Sequence, residues 1–120
     1  MRVAAEILVG LLALLHIYIL VMEMFLWTTP RVRAAFGMTA EFAEDTKVLA
    51  GNQGLYNGFL AAGLIWGLIA GDPVGRAAQI FFCICVVVAG VYGGTTASRR
   101  ILYVQALPGA LALTAVLLAG

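Results

Sequence analysis

The residues of this chain able to do chemistry are few, and they recur at helical spacing. His16, Glu23 and Trp27 stand seven and four apart, so a 100° step per residue places them within about 40° of one line. Asn52, Gln53, Tyr56 and Asn57 occupy one sector of about 140° on a second helix. By depth, Tyr92, Thr95 and Thr96 near the end of a third apolar run and Tyr103 and Gln105 near the start of a fourth join the level of Glu23. His16 lies about 10 Å deeper. A carboxyl, amides and phenols at one height would make a polar site with Glu23 as anchor. Candidate ligand contacts are His16, Glu23, Trp27, Asn52, Gln53, Tyr56, Asn57, Tyr92, Tyr103 and Gln105, and Glu23 and His16 are the candidate proton carriers.

The solvent around these groups follows from composition. Of 120 residues 63% are apolar and only 11% charged, with 14 glycines and a net charge of +1. So few charges cannot cover a water-soluble domain of this size, so the chain is read as an integral membrane protein. No basic field exists to hold nucleic acid. One histidine, and two cysteines (Cys83 and Cys85) about 200° apart on a helix, leave no metal site. No phosphate-binding loop, dinucleotide or nucleophile motif is present, and no cofactor is expected.

Apolar runs long enough to cross about 30 Å of hydrocarbon cover roughly residues 3–27, 48–70, 76–96 and 101–119. The first continues past the length of a secretory h-region and lacks a small-residue cleavage pattern, so it is read as a retained span. Short connections at Gly71-Asp72-Pro73 and Ser98-Arg99-Arg100 make neighbours antiparallel. The expected fold is therefore all-α, an antiparallel four-transmembrane-helix bundle forming a single domain over residues 1–120. In the first connection, Thr39 is placed to cap a short interfacial helix, with Glu41 in its first turn, that runs into the second span; a solvated loop is the alternative. Arg31, Arg33, Lys47, Arg99 and Arg100 against Arg2 and Arg76 put loops 28–47 and 97–100 in the cytoplasm and both termini outside.

An ionised carboxylate facing lipid costs about 2.5–3.5 kcal/mol, so Glu23 is expected to face the bundle. Burial favours its neutral form, whereas amide or phenol donors favour the carboxylate. Glu6, near a helix end, reads as a solvated charge. Gly54-x3-Gly58, Gly63-x3-Gly67-x3-Gly71 and Gly90-x3-Gly94 permit close helix approach, within the chain or in a homodimer.

The run Asn52-Gln53-Gly54-Leu55-Tyr56-Asn57-Gly58-Phe59-Leu60-Ala61, preceded by His16 and Glu23-Met24-Phe25-Leu26-Trp27, resembles the small bacterial membrane proteins of domain-of-unknown-function family 1304. The resemblance covers nearly the whole chain. It implies a four-span inner-membrane protein without an established biochemical activity.

The reading that follows is a cytoplasm-facing intramembrane polar pocket for a small lipophilic or cationic molecule. Three rivals use the same residues differently. A proton-coupled transporter would exchange the Glu23 proton for substrate. A membrane isomerase would move a proton to and from carbon through Glu23 or His16. A structural partner protein would use the polar groups only to join helices.

Overall fold

The computed structural model describes all 120 residues. It is all-α, with α1 at Arg2–Phe25, α2 at Pro30–Phe36, α3 at Ala40–Ile69, α4 at Val74–Thr96, a π-helical segment at Leu102–Ala106 and α5 at Leu107–Ala119. Three stretches are long and apolar enough to cross a membrane: Arg2–Phe25, Val74–Thr96 and Leu102–Ala119. At 30 residues, α3 is about 45 Å long and exceeds the thickness of a bilayer core. Its apolar character is diluted by Asn52, Gln53, Tyr56 and Asn57 midway along it.

Local chemistry explains the helix ends. Pro30 opens α2, where its missing N–H costs nothing, and Gly37 closes it at φ 66°. That left-handed turn lets Gly37 N–H donate to Ala34 O and Met38 N–H to Arg33 O at 2.8 Å, a Schellman closure that a side chain at position 37 would strain. Thr39 then caps α3, its Oγ1 accepting from Phe42 N–H at 3.0 Å. The cap is at the expected residue, and the helix it starts continues into the second apolar stretch as expected. It runs unbroken through the second apolar stretch, and the short helix of this connection is α2, upstream. Thr39→Ala should cost about 1 kcal/mol, read as a lower thermal midpoint, whereas Thr39→Ser should be nearly silent.

The fourth apolar stretch begins as a π-helix. Pro108 supplies no N–H to the carbonyl four residues earlier, and the ladder widens there, with Leu107 N–H donating to Leu102 O.

The chain divides into two compact units, Leu15–Phe59 and the remainder, Met1–Leu14 with Leu60–Gly120. In the larger unit, Val9, Leu64, Cys83, Val86 and Ala112 are fully buried. Glycines set its helix spacing. A Cβ on Gly63 would fall 2.4 Å from the Phe82 ring, and one on Gly67 2.8 Å from Gln79 Cγ, whose amide donates to Gly67 O at 2.8 Å. Gly90 is pressed on the backbone of Ala106 and Gly94 on Leu102. In the smaller unit Gly54 lies against Met24 and Glu23, and Gly58 against Leu20. The Gly-x3-Gly ridges are thus filled by neighbours from the same chain except at Gly71, where a Cβ would meet nothing within 4 Å.

Candidate functional site

In the smaller unit, the α3 face that meets α1 is a stripe of small residues. Ala43, Ala50 and Gly54 are buried along it, with Thr46 and Asn57 half-buried at the same period. Because Gly54 has no side chain, the backbone of α3 approaches Leu20, Glu23 and Met24 closely. That approach brings Asn57 to Glu23: the Asn57 amide donates to Glu23 Oε1 at 2.7 Å and to Gln53 O at 3.0 Å. No partner bonds the second carboxyl oxygen of Glu23, and the residue is half-buried.

α1 ends at Phe25, two residues short of the expected boundary. Glu23 therefore sits within about 3 Å of the helix end, nearer the aqueous boundary than an intact span to Trp27 would place it. Trp27 lies beyond the helix, in the turn that leads to α2. Its indole Nε1 donates to Thr46 Oγ1 at 3.0 Å, and its ring meets Phe36 at 5.4 Å with a 48° tilt. The Thr46 hydroxyl passes its own proton to Phe42 O at 2.7 Å. This chain of bonds ties the turn to α3 about three helical turns before Asn57.

The expected sector of polar residues on α3 divides in two. Asn57 reaches Glu23, and Gln53 stands one turn away on the same strip, exposed. Asn52 and Tyr56 form a neighbouring exposed strip rotated by about 100°, and Tyr56 turns its ring toward Phe59 at 6.0 Å. His16 is fully buried. In the larger unit Tyr92 and Tyr103 are mostly exposed and Gln105 is half-buried. Thr95 and Thr96 turn their hydroxyls back to Tyr92 O, which satisfies them locally. Thr46 had no place in the sequence reading. The signal for it was the Ala43, Ala50, Gly54 spacing, which marks the buried side of α3 better than its polar residues do.

A second group of charges also went unrecognised as a cluster. In the larger unit Arg2, Glu6, Asp72, Arg76 and Gln79 line a small cleft. Arg2 bridges Asp72 at 3.0 Å and Glu6 at 3.4 Å. The signal available was that the start of α1 and the α3–α4 turn are both charged ends of apolar helices.

Fold and site together define a small all-α protein with apolar helices of membrane-crossing length and a carboxyl–amide pair near the end of one of them. The chain belongs to the family described as protein of unknown function (DUF1304), which matches residues 10–117. It is similar to the uncharacterized protein YpaA of Lactococcus lactis subsp. lactis (strain IL1403), 30% identical over 119 residues, which covers 98% of this chain and 97% of the relative. No solved structure matches it.

Proposed function

We propose that this chain is a four-span bacterial inner-membrane protein, an antiparallel bundle in one domain, that binds a small lipophilic cation at Glu23. In this reading α3 crosses as the fourth span, loops 28–47 and 97–100 are cytoplasmic, and the termini lie outside. The observation that carries it is the half-buried Glu23 carboxyl, with one oxygen held by Asn57 and the other unpartnered. Only one oxygen of Glu23 serves the helix contact, which leaves the other available to a ligand. A free oxygen near the membrane boundary is suited to pairing with an ammonium group whose apolar body lies among the helices. Asn57 orients the carboxyl and Gln53 stands at the rim, whereas Trp27, bonded to Thr46 about 16 Å along α3 from Asn57, anchors the neighbouring turn and does not cover the cation.

Purified full-length protein should show a rise in thermal midpoint with lipophilic amines and none with sterols or quinones of similar size. Glu23→Gln keeps the hydrogen-bonding shape, removes the charge, and should weaken amine binding by about tenfold, the effect of one charge-assisted bond. An amine response unchanged in Glu23→Gln would refute the site.

A further inference from the structure

The Asn57 amide has no hydrogen left to give. A carboxamide carries two N–H donors and one carbonyl acceptor. Asn57 Nδ2 donates one hydrogen to Glu23 Oε1 at 2.7 Å and the other to Gln53 O at 3.0 Å. Both partners are acceptors, which fixes the nitrogen end of the amide and leaves Asn57 Oδ1 without a donor. Glu23 Oε2 stands in the same position. As a carboxylate and an amide, the pair therefore presents two oxygens to its surroundings and no N–H. Gln53, exposed one turn away on the same strip, adds a side-chain carbonyl. No ring covers these oxygens: Trp27 is bonded to Thr46, and Tyr56 pairs its ring with Phe59 on the neighbouring strip. The apolar wall beside them is Leu20 and Met24, which lie against Gly58 and Gly54.

A set of acceptors without donors or aromatic faces distinguishes between cations. A quaternary ammonium has no N–H and is held by the faces of aromatic rings, which this strip lacks. A primary ammonium carries three N–H donors on one nitrogen and no acceptor. We infer that the cation seated at Glu23 is a primary alkylammonium, read by Asn57 as well as by the carboxylate. One N–H donates to Glu23 Oε2, a second to Asn57 Oδ1 and the third to the Gln53 side-chain carbonyl, while the alkyl body lies along Leu20 and Met24. This inference rests on the reading of Glu23 as an amine site and names which amines it takes. Asn57 then has two roles: its N–H groups orient the carboxylate, and its carbonyl determines specificity.

The test titrates full-length protein in a neutral detergent with octylammonium and its mono-, di- and trimethyl derivatives, Glu23→Gln serving as the blank for partition into the micelle. Every member carries one positive charge, and each methyl group removes one N–H and adds apolar area. A site that chose by charge and apolar area alone would favour the trimethyl member. The hydrogen-bonding site should instead bind octylammonium about tenfold more tightly than the trimethyl compound, with the intermediates ranked by their N–H count. Asn57→Leu should bring that ratio close to one by weakening the primary amine most, whereas mere misplacement of Glu23 would weaken the whole series alike and keep the ratio. Should Asn57→Leu fail to fold, the ranking in the unmodified protein still decides. Trimethyl binding as tight as primary, with both lost in Glu23→Gln, would overturn this inference and leave the amine site standing. Binding that Glu23→Gln does not alter, or no binding at all, would overturn both.

Discussion

Gly90→Ala is expected to be among the most damaging single-atom additions in this protein. A Cβ there would lie 2.4 Å from Ala106 N, 2.7 Å from its Cα and 2.9 Å from its Cβ. Two of these atoms are backbone, so no rotamer change relieves the overlap. α4 and the π-helical segment must move apart, and Gly94 beside Leu102 loses its fit with them. Overpacking of this kind costs about 1–3 kcal/mol, and the rigid neighbour places Gly90→Ala at the upper end. Gly51→Ala supplies the control. Nothing lies within 4 Å of a Cβ at Gly51, and a glycine within a helix is less stable than alanine by about 0.5–1 kcal/mol. The two identical substitutions should therefore have opposite signs in a denaturant titration of the purified protein. A neutral Gly90→Ala would show that the helix spacing around the π segment is wrong.

Asn57→Leu should have the second largest effect, because it deprives Glu23 of the donor that satisfies it. Leaving a half-buried carboxyl oxygen unmet costs about 1–3 kcal/mol. Replacing both partners, as in Glu23→Leu with Asn57→Leu, should recover most of that loss, since the cost lies in orphaning one group rather than in losing the bond. The double-mutant cycle also reports the state of the carboxyl. Neutral hydrogen bonds between membrane helices average about 0.6 kcal/mol, whereas bonds to an ionised group are worth about 1.5–3 kcal/mol. A coupling in the upper range supports an ionised Glu23 ready for a cation. A coupling near the lower value would identify the pair as helix packing and count against the amine site.

Much of this molecule was legible without coordinates, and its basis was composition. A chain this poor in charge must bury its backbone polar groups within helices if it lives in lipid, so an all-α fold followed. Proline and glycine marked the breaks, and Thr39 was read correctly as a cap. The run around Asn52-Gln53-Gly54 also pointed to the family to which the chain belongs. Periodicity alone could say that Asn52, Gln53, Tyr56 and Asn57 share a broad sector, since side-chain direction follows from position along a helix.

Tertiary packing decided which part of that sector faces a partner. The helix turns its smallest residues inward, because dispersion contacts between helices grow as backbones approach, and Gly54 and Gly58 allow the nearest approach to α1. Asn57 lies beside that line and meets Glu23, whereas Asn52 and Tyr56 lie off it and are exposed. The same packing brought Thr46 to Trp27 and gathered Arg2, Glu6, Asp72 and Arg76 from distant positions into one cleft. Periodicity along one helix contains no information about which residue of another helix stands opposite. That choice belongs to the fit of surfaces in three dimensions.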